Sequence, residues 1–392
     1  MANRVTIQDI ADELGLSRNT VSKAINNTGV LADATRQKVL AKAIEMGYKQ
    51  FTYMDISSLE PERHSGEGGE IALLTASFLD HSHFASSMLD RFQSEISQLG
   101  YSMSIHNVCA ADLQERKLPA SFHEDTTVGI VCVEVFDPDY CRMLSGLGLP
   151  LLFIDAPVMT DGEQLNADIL LMDNTAGILS FIKEMKRRNR LRIGFIGDVM
   201  HCTSFFERYM AFRNGMFYNQ LPIDEAFCLT DNSDRLGFGH NRDYILDRLN
   251  KMKTLPDVFI CANDFVAVDL LQVLESVRVS VPERIQVLGF DDSPESRIVT
   301  PKLSTIHIHS QVVGFSAVQL LVSRIWEPEL DYRRVYVETN LILRASTGDP
   351  AETGSGAPLF RRMKGTGRSG FPGAFWVNHF SYGIGGIPGN FR

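Results

Sequence analysis

The sequence predicts two architectures in one chain: a small all-α helix-turn-helix head, followed by a larger α/β core of two parallel-sheet subdomains. Three observations carry this. Apolar residues recur at helical spacing up to about residue 46, and from Ile71 onward short apolar runs alternate with amphipathic helices. At 392 residues the chain also exceeds what one compact core organises. The expected divisions are a head at 1–50, a linker at 51–69, the core at 70–347 and a tail at 348–392.

The head comes first. From Val5 to Leu14 the apolar positions fall on one helical face, with Thr6 placed to cap and Asp9 three residues later to close a capping box. Gly15 breaks that helix, and Ser17 is placed to cap a second one over 18–25. There Leu16, Val21, Ala24 and Ile25 face inward, while Arg18, Asn19, Ser22 and Lys23 face outward. A third amphipathic helix over 32–46, with Ala34, Val39, Leu40, Ala43 and Ile44 on its apolar side, closes a three-helix core, and Gly47 ends it. An ordinary αα-hairpin shows the same spacing, so the pattern alone leaves that reading open.

Between Lys49 and Glu70 the periodicity lapses into Ser, Glu, Pro61, Gly66, Gly68 and Gly69, which reads as a linker. In the core, apolar runs at 71–75, 128–135, 151–154, 192–196, 258–261 and 285–290 read as buried strands; 84–99 and 265–277 read as helices. Phe84, Met88, Phe92, Ile96 and Leu99 form one stripe. Alternation over this length predicts two parallel sheets, each with helices on both faces.

Several runs end in a polar group: Asp155, Asp173-Asn174, Asp198, Asn263-Asp264 and Asp291-Asp292. In open parallel sheets ligands sit outside the carboxyl ends of the strands, so residues distant in sequence meet there. Carboxylates and amides, joined by Arg208, suit a ligand rich in hydroxyls, such as a sugar, polyol or nucleoside, better than a phosphate or a metal. Each acidic residue taken singly has a second reading, as a cap for the helix that follows it.

Bulk properties narrow the classes. The chain carries a formal charge of -10, but residues 1–50 hold seven basic residues against five acidic ones, a balance of +2. An acidic remainder repels phosphate and leaves the head as the part suited to DNA. The six cysteines show no C-x-x-C spacing and are expected to be buried, reduced thiols. No export signal or membrane-length apolar run is seen, so a cytoplasmic protein is expected. Ser180 and Lys183 have S-x-x-K spacing without companion motifs, and His81/His83 and His307/His309 lack partner ligands, so the pattern calls for no enzyme, metal or cofactor.

The motifs Thr6-Ile7-Gln8-Asp9-Ile10-Ala11, Thr20-Val21-Ser22-Lys23-Ala24-Ile25-Asn26, Thr35-Arg36-Gln37-Lys38-Val39 and Met46-Gly47-Tyr48 follow one another at fixed spacing. They are joined by Arg192-Ile193-Gly194-Phe195-Ile196-Gly197, residues 207–213, Cys261-Ala262-Asn263-Asp264, Gly289-Phe290-Asp291-Asp292, residues 301–306 and residues 343–347. With these the chain resembles the lactose-repressor (LacI/GalR) family of transcription regulators across roughly residues 4–347. The resemblance implies a periplasmic-binding-protein-like core in which 70–168 and 305–328 form the subdomain next to DNA and 170–302 and 332–347 the distal one. It implies a homodimer on operator DNA and a small sugar-like effector in the cleft.

On the matching positions, Asp155, Arg208, Asn263 and Asp291 become the first effector contacts, Asp173 and Asn174 a weaker pair, and Phe205 an apolar face. Arg18, Asn19 and Lys23 become base readers, which suits Arg and Lys to guanine and Asn to adenine. Thr6, Ser17, Thr20, Ser22 and Asn26 become phosphate contacts that fix register.

Two departures stand out. Where the family carries a hinge with Ala-Arg and a Leu wedge for the minor groove, this chain has Gln50, Phe51, Met54, Asp55 and Ser57; Leu59 serves only with a shifted register. The tail has no counterpart in the family: from about Pro350 to Arg392 ten residues are Gly, and the composition predicts disorder. A different class therefore stays open: a cytoplasmic carbohydrate-binding sensor or enzyme that has lost DNA binding.

Overall fold

The computed structural model describes residues 6–25, 35, 38–39, 42–43, 46, 68–76, 83–230 and 241–349. Asn26, most of the linker and the tail beyond Asp349 lie outside the described residues.

In the head, α1 (Ile7–Leu14) starts at the expected capping box: the Asp9 amide donates to Thr6 Oγ1 at 3.3 Å, and the Thr6 amide donates to the Asp9 carboxylate at 2.7 Å. Gly15 ends it at φ 65°, a left-handed turn that a side chain resists. The second helix, α2 (Arg18–Ile25), is capped by Ser17, whose hydroxyl accepts the Thr20 amide at 3.1 Å. Ile10, Ala11, Val21 and Ala24 bury against Val39 and Ala43 of a third helical segment. These six residues make a small core of the expected three-helix kind.

The larger part runs, in chain order, β1 (Glu70–Thr75), α3 (His83–Gln98), β2 (Ser102–Asn107), α4 (Ala110–Glu115), β3 (Thr127–Val133), α5 (Pro138–Ser145), β4 (Leu151–Ile154) and β5 (Asp168–Met172). It continues with α6 (Ala176–Arg187), β6 (Ile193–Ile196), α7 (Thr203–Tyr218), β7 (Cys228–Leu229), α8 (Asn241–Lys251), β8 (Val258–Cys261), α9 (Asp264–Ser276), β9 (Gln286–Leu288) and α10 (Pro294–Ile298). The last elements are β10 (Thr305–Ile308), α11 (Ser310–Trp326), β11 (Arg334–Val337) and β12 (Thr339–Ile342).

Two parallel sheets result, ordered β11-β5-β4-β3-β1-β2 and β7-β6-β8-β9. In the first, alternate residues serve opposite faces. Ile71, Leu73, Val131, Leu152 and Leu170 pack with α3 and α11, while Leu74, Ile130, Cys132, Phe153 and Leu171 pack with Tyr140 and Leu144 of α5. Burial on both faces is why these strands read as unbroken apolar runs. Gly314 lets α11 settle onto α3: a Cβ there would stand 2.5 Å from the Met88 carbonyl oxygen.

One expectation is corrected. Residues 170–172 and 334–337, assigned from sequence to the distal lobe, pair with each other as β5 and β11 in the first sheet. The chain therefore crosses between lobes after Met172 and again around the antiparallel pair β10 and β12. A buried ion triad holds this edge: the fully buried Asp168 carboxylate accepts Arg324 Nε at 3.1 Å, Arg333 Nη2 at 2.8 Å and the Arg333 amide at 2.7 Å. Burial alone would raise the Asp168 pKa, but the hydrogen bonds from Arg333 and Arg324 hold it below the usual carboxylate range.

The cysteines also depart from expectation in one place. All six are free, and Cys109 is exposed while the other five are buried.

Candidate functional site

On the head, Arg18, Asn19 and Lys23 are exposed on α2, opposite the buried Val21 and Ala24. Three expected phosphate contacts already have local work. Thr6 Oγ1 bonds the Asp9 carboxylate at 2.8 Å, and Ser17 and Thr20 hydroxyls lie 2.8 Å apart. Each fixes the start of a helix; the Thr6 proton is spent on Asp9, while one hydroxyl of the Ser17–Thr20 pair keeps a proton that a phosphate oxygen can accept.

In the core, several strand ends carry constrained acidic residues. Glu134 after β3, Asp155 after β4, and Asp291 and Asp292 beyond β9 all take positive φ, at 58°, 61°, 116° and 57°. Left-handed backbone is uncommon outside glycine and costs about 1–3 kcal/mol per residue, so four acidic residues held this way at strand ends mark a constrained site.

The centre of this cluster is Arg208 on α7. It is buried, with Nε donating to Asn174 Oδ1 at 2.9 Å and Nη1 to the Ala262 carbonyl at 2.7 Å. Its Nη1 lies 3.6 Å from Asp291 Oδ1, and its guanidinium stacks 3.5 Å from the Phe290 ring centroid and 5.6 Å from that of Phe205. Burial pushes the Asp291 carboxyl up; Arg208 pulls it back, while Glu134 and Asp155 push it further. Behind it Asp264 is buried and likewise raised, by burial first and then by Asp291.

Asp155 joins the two lobes. Helix α7 has Cys202 at its N-cap position without a side-chain cap bond; instead the Ser204 amide donates to Asp155 Oδ1 at 3.1 Å and the Thr203 amide to the Ala156 carbonyl at 2.8 Å. The cap of a distal-lobe helix is thus supplied by the other lobe. Around it, His201 lies with its ring centroid 5.0 Å from both Phe136 and Phe205.

The remaining candidates are bound to local tasks. Asp173 Oδ1 accepts the Thr175 and Ala176 amides at 2.8 and 3.1 Å, capping α6. Asn263 Oδ1 accepts the Val266 amide at 3.0 Å and caps α9; its Nδ2 takes no part in that cap. Asp292 turns away from the cleft toward Arg344, Arg297 and His307, at 2.6, 2.6 and 3.0 Å. Burial would raise its carboxyl, but those three partners hold it far below the ordinary range. His309 bonds Asn340 at 2.6 Å. Ser180 and Lys183 both lie on the exposed face of α6.

Residues 6–50 match the model of bacterial regulatory proteins of the lacI family, and residues 182–347 match the periplasmic binding protein-like domain. The chain thus carries a lacI-family head and a periplasmic-binding-protein-like core. It is 28% identical over 352 residues to the HTH-type transcriptional regulator GalR of Lacticaseibacillus casei, covering 87% of this chain and 99% of that protein. To the HTH-type transcriptional repressor PurR of Vibrio parahaemolyticus it is 26% identical over 340 residues, 86% of this chain and 97% of the relative. Two solved structures share the fold. A complex of the transcriptional regulator CelR with cellobiose has a TM-score of 0.62 at 21% identity, covering 88% of this chain and all of that one. The lac repressor dimer bound to operator and the anti-inducer ONPF has a TM-score of 0.58 at 19% identity, covering 88% and 99%.

Around this network the sequence reading missed Glu134, Ser204, His201 and Glu207. Glu134 was absorbed into the apolar run 128–135; a lone carboxylate inside such a run was the available signal. Glu207 extends the Arg208 network: its carboxylate accepts Asn174 Nδ2 and the Tyr336 hydroxyl, both at 2.8 Å. It also borders a pocket of about 580 Å³, lined by Pro157, Leu165, Thr203, Phe206 and Tyr332 among others.

Proposed function

We propose that this protein is a sequence-specific DNA-binding transcriptional regulator, acting as a repressor, whose operator affinity is set by a small hydroxyl-rich molecule held between its lobes. The observation that carries the reading is the constellation of Asp155, Arg208 and Asp291: it straddles two lobes, in a chain that also carries an exposed reading face on α2. Carboxylates accept from sugar hydroxyls and a fixed guanidinium donates to them, so such a ligand engages both lobes at once. Asn263, Asn174 and Phe205 complete the proposed contacts, with Asp173 at the margin.

The chain acts as a homodimer in the cytoplasm, presenting two heads to a pseudo-palindromic site. Arg18, Asn19 and Lys23 read bases; Thr6, Ser17, Thr20, Ser22 and Asn26 hold phosphates. The relatives named as transcriptional regulators and repressors support this reading.

A second reading, a sugar sensor or enzyme without DNA binding, has the atypical linker in its favour, because Asp55 is repelled by phosphate where the family carries Arg. Operators selected from random duplexes, followed by anisotropy titrations with and without a sugar and nucleoside panel, decide between them. Salt-sensitive binding to a selected site that shifts with ligand supports the regulator. No affinity for any duplex, with turnover of a sugar, supports the alternative.

A further inference from the structure

Away from the Arg208 cluster, His106 is hydrogen-bonded through both ring nitrogens. Ser104 and His106 stand two apart on β2, so their side chains share one face of the strand. His106 is buried; its Nε2 lies 2.8 Å from Ser104 Oγ and its Nδ1 2.8 Å from Ser121 Oγ. Ser104 Oγ in turn donates to Oε1 of Glu70, the first residue of β1, at 2.6 Å. Counting protons fixes the direction of this chain of bonds. Ser104 has one proton and gives it to the carboxylate, so toward His106 its oxygen accepts and Nε2 carries the ring hydrogen. Desolvation lowers the His106 pKa, so the ring is neutral at pH 7 and Nδ1 is bare. The exposed Ser121 hydroxyl therefore donates to a bare imidazole nitrogen.

We infer that Ser121 is a nucleophilic serine and an acylation site of this chain, taking an acyl group from an activated acyl compound with a good leaving group. A hydroxyl, a base within hydrogen-bond reach and a third group that orients the base are the parts of an activated nucleophile, and Ser121, His106 and the Ser104–Glu70 pair supply them. In the step, Ser121 Oγ bonds to the carbonyl carbon while its proton passes to His106 Nδ1. The bond from that carbon to the leaving group then breaks, and the departing group or water takes the proton from the imidazolium. Glu70 favours the imidazolium while it lasts. The other groups facing the ring are His123, which disfavours its charge, and Phe122, whose ring centroid lies 5.7 Å away. The product is a serine ester at the surface, a modification of the protein rather than a turnover.

The test exposes the full-length protein to p-nitrophenyl acetate and locates acetylated serines by peptide mass spectrometry over time. Ser121 is expected to acetylate at least about tenfold faster than the other exposed serines, a small share of what general-base assistance typically contributes. Its rate should rise with pH and level off below about pH 6.5, the ordinary histidine value, because the His106 pKa lies lower. A hydroxyl without a base reacts through its alkoxide and keeps accelerating above neutrality. Ser121→Ala should remove the label, and His106→Gln should bring Ser121 down to the rate of its neighbours. Glu70→Gln keeps an acceptor for Ser104 but loses the charge, so it should move the pH midpoint downward, which a merely structural link would not do. Melting curves show whether the variants fold; if His106→Gln does not, the wild-type pH profile and Glu70→Gln decide. Labelling of Ser121 no faster than other exposed serines, a rate that climbs without a plateau, or an unchanged rate in folded His106→Gln overturns the inference. None of these outcomes bears on operator or effector binding, so the proposed function stands or falls separately.

Discussion

Asp173 and Asp291 each close an apolar run, and their surroundings give them opposite work. Asp173 spends one oxygen on two amides at the start of α6. Asp173→Ala is therefore expected to lower stability by about 1 kcal/mol in urea titrations, the usual loss of a helix cap, and to weaken ligand binding less than Asp291→Ala. Asp291 sits desolvated among like charges, so Asp291→Asn should keep or raise the melting temperature at neutral pH while abolishing the ligand response; a large loss of stability would show it to be structural. Its raised pKa, with that of Asp264, has a definite sign: the folded state holds protons that the unfolded chain releases. Stability contributed by these two carboxyls is full below the ordinary carboxylate range and declines from about pH 4 toward neutrality. Asp292 works the other way, and its contribution disappears as the pH falls below about 4. Local pattern does not separate Asp291 from Asp292, and only the family resemblance singled out Asp291. In the structure the two turn apart, Asp291 toward Arg208 and Asp292 toward Arg344.

At the level of elements, most of the fold was legible because strands buried on both faces and helices with one apolar stripe leave distinct patterns. Strands β4 and β8 fall at the residues expected, and α9 begins one residue early, at Asp264. What the pattern withheld was which strands are neighbours. β5 and β11 are separated by more than 160 positions, and no local periodicity reports a parallel pairing over that distance. The pairing is instead written in ions. Asp168 at the head of β5 binds Arg324 at the end of α11 and Arg333 at the entry to β11. Removing one partner from a buried network leaves the others uncompensated, which typically costs about 3–5 kcal/mol. Asp168→Ala is expected to lose that much in urea titrations, with the midpoint falling and the transition broadening if the edge strand detaches first. A change under about 1 kcal/mol would mean that the triad orders the edge without stabilising it. The head was legible for a different reason: its caps are local. Thr6 with Asp9, Gly15, and Ser17 with Thr20 all act within four residues. Whether its outward face reads bases is decided by Lys23→Ala, which should reduce binding to the selected operator more than to random duplex, by about 1–3 kcal/mol of discrimination. Equal loss on both would make Lys23 a phosphate contact.

Across the whole molecule, α7 is where the lobes meet. Its first turn is capped by Asp155 from one lobe, Glu207 reaches Tyr336 on a strand of the same lobe, and Arg208 meets Asp291 within its own. A ligand that draws Asp155 or Arg208 into new hydrogen bonds must compete with these contacts, so occupancy and lobe geometry are energetically linked. If that geometry in turn sets the placement of two heads on one operator, the coupling is a free energy shared by both sites. A value of about 1–3 kcal/mol changes DNA affinity about five- to 150-fold, and the same factor must appear in the ligand's affinity when operator is present. Calorimetric titration of the effector into the free protein and into its operator complex measures this directly. Asp155→Asn, which keeps an acceptor for the Ser204 amide but removes its charge, should shrink that factor even at ligand concentrations that saturate the cleft. If ligand affinity were identical with and without operator while ligand still displaced DNA, the linkage would not run through the lobes, and direct competition for the head would replace it.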